Sequence, residues 1–149
     1  MAGVSGVRRD VVALARGWIG TPYEHQASCK GAGADCLGLL RGIWRELHGN
    51  EPEKPGAYTA DWSETDGVER LLPAAKRHMK AVHVAAVGDV LLFRMGRGVV
   101  KHVAILSDIT PNAEKIIHAY SGRGVVESPL TPAWARRIAG RFRIPEERA

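Results

Sequence analysis

The chain has 149 residues, a net charge of +5 and a pI of about 9.6, and its length fits one domain with one hydrophobic core. Hydrophobic residues make up 45% of it and charged residues 25%, which is ordinary for a globular protein, and no apolar run is long enough for membrane insertion. Because the basic residues are scattered, with no run longer than a pair, we expect no nucleic-acid interface.

The first third of the chain predicts two amphipathic helices. Apolar residues recur at helical spacing from Val7 to Ile19, and Gly20-Thr21-Pro22 is expected to end this helix. A polar, glycine-containing loop follows. The second predicted helix begins at Cys36, after Asp35 as its N-cap, and closes at Gly49-Asn50.

The middle of the chain predicts a surface connection and short helical segments. Residues 50–60 contain two prolines and a glycine, which favours a loop. Ser63-Glu64-Thr65-Asp66 resembles a helix capping box. A short apolar helical face then precedes Pro73, and a further helical turn is expected from Ala74 to about Met79.

The last part of the chain predicts an antiparallel sheet. Strands are expected over residues 90–94, 99–107, 115–120, 125–128 and 137–144. A helical turn with Thr131 as N-cap and Pro132 at its first position precedes the last strand. Helices first and strands second indicate an α+β fold, with the N-terminal helices packed on one face of an antiparallel sheet of about five strands. We expect a single domain over residues 1–149, with a frayed tail from about residue 145.

Cys36 is the first candidate for chemistry. A helix N-terminus presents unpaired N–H groups and a partial positive charge, which favour the thiolate, and the thiolate is the nucleophilic form. The alternative is structural, because an unpaired cysteine often serves as a small buried hydrophobe.

A nucleophilic cysteine needs a base, and His102 and His118 are the candidates. A catalytic imidazole is usually oriented by a further polar group. If the two strands that carry these histidines pair as a hairpin, the imidazoles lie side by side on one face. With the Cys36 helix packed on that same face, the three side chains converge.

A metal site is a rival interpretation of the same residues. Zinc accepts cysteine and histidine ligands, here Cys29, Cys36, His102 and His118, but no pair among them has the close spacing of a structural zinc site. We therefore expect neither metal nor cofactor. A disulfide between Cys29 and Cys36 would disable the nucleophile, and we expect Cys29 to be a surface-loop cysteine.

Five short motifs occur in the order typical of one family. They are Gly20-Thr21-Pro22-Tyr23, Asp35-Cys36-Leu37-Gly38-Leu39, Gly88-Asp89-Val90-Leu91-Leu92-Phe93, His102-Val103-Ala104-Ile105 and Ile117-His118-Ala119. With them the sequence resembles the NlpC/P60 cell-wall peptidases, a branch of the papain-like fold, over nearly its whole length. Leu37 and Ala104 stand where the family usually has Ser and Gly, at positions that do not bear the chemistry.

The resemblance implies a role for each candidate residue. Cys36 would be the nucleophile, His102 the general base and then acid, and His118 the residue that orients His102. Tyr23 and Asp35 would lie on the oxyanion and substrate side. The implied substrate is a peptidoglycan stem peptide, cut at the γ-D-glutamyl–diaminopimelate bond.

The segments Thr21–Gln26 and Asp35–Trp44 further resemble a phage-encoded subfamily associated with tails of phages and gene-transfer particles. This implies a tail-tip or hub protein as partner. The N-terminus has no apolar core of signal-peptide length, so we expect synthesis in the cytoplasm, and delivery by a particle tail to the target cell's periplasm and wall.

Two alternatives stay open. One is a tail-tip or hub-docking protein whose peptidase fold is vestigial or gated, although the intact set of Cys36, His102 and His118 speaks against a pure scaffold. The other is an amidase or acyltransferase of the same fold.

Overall fold

The computed structural model describes residues 6–52, 70–95 and 98–146 of the chain. Its helices are α1 Gly6–Gly17, α2 Cys36–His48, α3 Leu71–His78 and α4 Pro132–Ala135. Its strands are β1 Ser28–Cys29, β2 Gly33–Ala34, β3 Lys80–Ala81, β4 Val90–Met95, β5 Val99–Thr110, β6 Ala113–Tyr120, β7 Gly124–Pro129 and β8 Ile138–Arg143. The predicted capping box at Ser63–Asp66 and most of the predicted connection before it lie outside the described residues. Within those residues, no helix combines the length and apolarity that a membrane span requires.

The predicted α+β class is confirmed. Strands β3 to β8 form one antiparallel sheet of six strands in the order β3-β8-β4-β5-β6-β7, and β1 pairs with β2 in a separate ribbon. The additional strand is β3, whose two residues pair with the end of β8. Two residues are too few to show the alternation that identifies a strand in a sequence.

Helix α3 joins two segments that the sequence separates at Pro73. The structure has one helix from Leu71 to His78, with Pro73 in its first turn. A proline is tolerated there because the amide hydrogen that it lacks would have no intrahelical partner.

The main sheet separates two apolar clusters. On its helix face, α1, α2 and α3 pack against strand residues that include Val103, Ile105 and Ile117. On its far face, Phe93, Ala104 and neighbours form a smaller cluster, which Leu130 and Trp134 cover. The prediction that the N-terminal helices pack on one face is therefore confirmed.

Local chemistry fixes both ends of α2. The Asp35 carboxylate accepts a hydrogen bond of 2.7 Å from the Gly38 N–H, which satisfies one of the free donors of the first turn. Gly49 follows the last turn with a φ of +83°, a conformation that glycine adopts without strain. Both caps confirm the sequence prediction, and the first one places Cys36 at the N-terminal end of the helix.

A bulge in β5 shapes the end of the sheet beside Cys36. Phe93 pairs with His102 and Arg94 with Val100, so Lys101 is an extra residue with no counterpart on β4. Because neighbouring strands are antiparallel, β4 and β6 end where β5 begins. Three strand termini therefore meet at this end of the sheet, and α4 immediately precedes β8 there.

Candidate active site

A cleft of about 290 Å³ opens at this end of the sheet. It receives side chains from the loop after α1, the start of α2, three strand ends and α4. Its lining consists of Tyr23, His25, Asp35, Cys36, Leu37, Met95, Lys101, His102, Ala119, Tyr120, Ser121 and Trp134. Of the five predicted site residues, Tyr23, Asp35, Cys36 and His102 line the cleft. His118 lies directly behind His102.

The Cys36 thiol is half-buried and points toward the bulge of β5. Its Sγ donates a hydrogen bond of 3.7 Å to the Lys101 carbonyl oxygen. In the described part of the chain, no hydrogen bond joins this thiol to His102 or His118. Cys36 and His102 thus share a cleft in which a main-chain carbonyl accepts the proton of the thiol.

The ionisation state of Cys36 differs from the sequence expectation. Burial, followed by the negative charge of Asp35, raises the pKa of the thiol to about 12. The backbone N–H of Val103 on β5 lowers it, and so do those of Leu37 and Cys36 at the helix N-terminus, but their effect is the smaller one. The expectation that the helix terminus favours the thiolate of Cys36 is therefore not met, because burial, and then the charge of the capping Asp35 carboxylate, outweigh it.

We expect Cys36 to alkylate at least about tenfold more slowly than the exposed Cys29 at pH 7.5, because the reactive thiolate is scarce. Its alkylation rate should still be rising with pH near pH 10. Iodoacetamide labelling with peptide mass spectrometry measures both cysteines in one sample. Faster labelling of Cys36 than of Cys29 at neutral pH would contradict a resting thiol.

His102 and His118 form a direct pair, as the strand pattern predicts. Strands β5 and β6 are hydrogen-bonded neighbours, and His102 Nε2 lies 2.8 Å from His118 Nδ1. The two residues are 9% and 3% exposed. Their imidazoles are inclined by 75°, with centroids 5.1 Å apart.

The histidine pair does not lie on the face that the sequence interpretation assigns to it. The residues next to them on the strands, Val103 and Ile117, face α2, whereas His102 packs with Phe93 and Trp134 of the far face. The two histidines do share a face, but the prediction that the Cys36 helix packs on that same face is wrong. Cys36 and His102 meet in the cleft because it lies at the end of the sheet, where side chains from both faces are accessible.

Burial keeps both imidazoles neutral. It lowers the pKa of His102 to about 3, with a further contribution from the neighbouring His118, and it lowers the pKa of His118 to about 4. A neutral imidazole has one acceptor nitrogen, so at neutral pH His102 can act as a base.

Trp134 packs against both histidines, and it is not among the site residues that the sequence predicts. Its ring stacks on His102 with a centroid distance of 5.1 Å and an inclination of 29°, and its edge meets His118 at 5.3 Å. The Thr131 hydroxyl caps α4 by accepting from the Trp134 N–H at 3.2 Å. The Thr-Pro start of α4 predicts the turn, but nothing in the sequence indicates that it packs against the histidines.

Tyr23 and Asp35 both line the cleft, in different surroundings. Burial, and then the negative charges that Cys36 and Asp35 carry when ionised, raise the pKa of Tyr23, so its hydroxyl stays protonated and can donate. Asp35 is 3% exposed, and besides capping α2 it accepts from the Gln26 N–H at 2.8 Å. Both carboxylate oxygens thus hold main chain around Cys36, and His25 Nδ1 lies 3.8 Å from one of them.

The metal alternative gains no support from the geometry. Across the residues that the structure describes, no group of three or more His, Cys, Asp or Glu side chains is arranged to hold a metal ion. Cys29 is an exposed free thiol in β1.

Comparison with known proteins identifies the family of the chain and structures of similar fold. A model of the NlpC/P60 family matches residues 20–143. Among curated proteins, none matches the chain. An NlpC/P60 family protein from Bacillus cereus ATCC 10987 superposes with a TM-score of 0.63 at 24% identity, covering 93% of this chain and 40% of that protein. The NlpC/p60 domain of the peptidoglycan hydrolase SagA gives 0.60 at 23% identity, covering 92% of this chain and 98% of the domain.

A third similar structure is that of Ly7917, described with the hydrolysis product of MDP. It gives a TM-score of 0.57 at 12% identity, covering 95% of this chain and 63% of that one. The structural matches establish the papain-like NlpC/P60 fold. This chain spans two fifths of the Bacillus cereus protein and nearly all of the SagA domain.

Proposed function

The chain belongs to the NlpC/P60 family, and from this premise we propose that it is a cysteine peptidase that hydrolyses peptidoglycan stem peptides. One observation carries the proposal. Cys36, at the first turn of α2, opens into the same cleft as His102, which is paired with His118 at 2.8 Å. A nucleophile, a base and a group that orients the base are the parts that acyl transfer through a thioester requires.

The reaction begins from a neutral thiol and a neutral imidazole. Substrate binding moves the thiol from the Lys101 carbonyl toward His102, which accepts the sulfur proton as Cys36 attacks the peptide carbonyl. The Cys36 N–H and the Tyr23 hydroxyl stabilise the oxyanion. The His102 imidazolium returns the proton to the leaving amine, and water, activated by His102, hydrolyses the thioester.

The proposed scissile bond is the one between γ-D-glutamate and diaminopimelate. The family resemblance of the motifs around Cys36 and His102 supports it. The description of SagA as a peptidoglycan hydrolase and of Ly7917 with a product of MDP is consistent with a substrate of this class. The net charge of +5 also favours approach to an anionic cell envelope.

We further propose that a phage or phage-like particle carries the enzyme on its tail, where a tail-tip or hub protein holds it. The support is the resemblance of Thr21–Gln26 and Asp35–Trp44 to the tail-associated subfamily. Such an enzyme is made in the cytoplasm and acts on the wall of the target cell. Mass spectrometry of purified particle tails tests this localisation.

The decisive experiment for the activity is digestion of purified diaminopimelate-containing muropeptides, followed by mass spectrometry. The protein should release fragments that end in γ-D-glutamate, and Cys36→Ala should release none. Cys29→Ala is the matched control and should cut like the unmodified protein, since its thiol is exposed in β1.

Each other outcome of the muropeptide digestion supports a different function. A cut between lactate and alanine would make the protein an amidase. Absence of any cut would favour the docking protein with a gated or vestigial site. Undiminished cleavage by Cys36→Ala would overturn the assignment of the nucleophile.

A further inference from the structure

Ser128 extends the histidine pair onto a third strand. His118 pairs with Val126 of β7, and Ser128 is two residues further along on the same face. The Ser128 Oγ lies 3.3 Å from His118 Nε2. His102, His118 and Ser128 thus form one chain of contacts across β5, β6 and β7.

The two histidine contacts allow only two arrangements of protons. A neutral imidazole carries a proton on one nitrogen and accepts at the other. If His102 is protonated at Nε2, it donates to His118 Nδ1, and His118 must then donate from Nε2 to the Ser128 Oγ. If Ser128 donates instead, His118 Nδ1–H donates to His102 Nε2, and His102 is left with its proton on Nδ1.

Only the first arrangement suits a base for Cys36. His102 Nε2 is engaged with His118, so Nδ1 is the nitrogen that remains to take the sulfur proton. In the reverse arrangement Nδ1 already carries a proton and cannot accept another.

We propose that Ser128 is a positioning residue that selects the productive tautomer of the pair by accepting a hydrogen bond from His118 Nε2–H. Ser128 is half-buried, so its hydroxyl can donate a hydrogen bond to water while its oxygen accepts one from His118. When Cys36 Sγ–H transfers its proton to His102 Nδ1, His102 Nε2–H stays with His118 and no other proton moves. The choice of tautomer and its catalytic consequence rest on the proposed function, whereas the tautomers themselves are measured without substrate.

The test reads the tautomers directly. Protein labelled with ¹⁵N-histidine is studied at pH 7 without substrate, by long-range ¹H–¹⁵N correlation, which distinguishes protonation at Nδ1 from protonation at Nε2. The variants are Ser128→Ala, Ser128→Thr and the control Thr110→Ala, which removes a hydroxyl at the opposite end of the β5–β6 hairpin. Hydrolysis of muropeptides is measured in parallel.

We expect Nε2–H on both histidines in the unmodified protein. Ser128→Ala should populate Nδ1–H on His118 and lower kcat about tenfold with KM unchanged, Ser128→Thr should restore both, and Thr110→Ala should change neither. Nδ1–H on His118 in the unmodified protein, or tautomers unchanged in Ser128→Ala, would overturn the inference. If the tautomers respond as expected but no variant hydrolyses muropeptides, the role of Ser128 stands and the proposed substrate fails.

Discussion

Replacement of His102 by glutamine is expected to lower kcat/KM for stem-peptide hydrolysis by about 10³-fold, the usual contribution of a positioned general base. Glutamine retains a polar group beside His118 but cannot take the proton of Cys36. The assay is muropeptide turnover under single-turnover conditions, which reports the acylation step. His83→Gln is the control, because His83 is exposed and outside the cleft. Loss of less than about tenfold in His102→Gln would show that another group accepts the proton.

The pH profile of the unmodified enzyme gives an independent check on the same base. His102 is competent when neutral, and burial lowers its pKa to about 3, so kcat/KM should hold from pH 8 to about pH 5 and fall only near pH 4 or below. An acid limb centred near pH 6.5 would indicate an ordinary, solvated histidine.

The stability of the fold must be measured together with the pH profile of activity, because the lowered pKa values of the two histidines also make folding depend on pH. The unfolded chain binds protons on His102 and His118 below about pH 6.5, and the folded chain does so only below about pH 3 and 4. The stability is therefore full above pH 6.5 and declines as the pH falls toward 4, by up to about 1.4 kcal/mol per pH unit for each histidine. Circular dichroism at each pH separates this loss from the loss of a base.

The features that the sequence predicts correctly, the helix caps and the histidine pair, depend on interactions between residues that are close in the sequence. Asp35, Gly49 and Thr131 act on backbone groups within a few residues of themselves, so their caps follow from the sequence alone. The pairing of His102 with His118 also follows, because side chains two residues apart on a strand share a face and the turn between β5 and β6 is short.

Properties that depend on how distant segments pack against one another cannot be predicted from the sequence in this way. Alternation along β5 says that His102 and Val103 face opposite sides, but not which side α2 covers. The resting state of Cys36 depends on burial and on Asp35 together, and helix position alone gives the opposite direction. Trp134 reaches the histidines only because α4 folds over the far face, a contact between segments distant in the sequence.

Gly38→Ala is expected to lower the free energy of unfolding by about 2 kcal/mol, although alanine is the better helix former. Gly38 lies two residues after Cys36, and a Cβ there would collide with the Ala27 carbonyl oxygen and lie 2.9 Å from the Ala27 carbonyl carbon. Because the obstacle is backbone, no change of rotamer relieves it. The loop that carries Ala27 must move away from α2, which strains the 2.6 Å hydrogen bond from the Ser28 hydroxyl to the Gly38 carbonyl.

The same displacement should reduce activity more than the loss of stability explains, because this loop also supplies the Gln26 N–H that holds Asp35 beside Cys36. Urea denaturation and turnover, measured on the folded fraction, separate the two effects. Gly6→Ala is the matched control, since a Cβ on Gly6 at the start of α1 meets no atom of the described residues within 4 Å. An unchanged unfolding midpoint in Gly38→Ala would show that the loop carrying Ala27 shifts at no cost in stability, and would contradict the prediction.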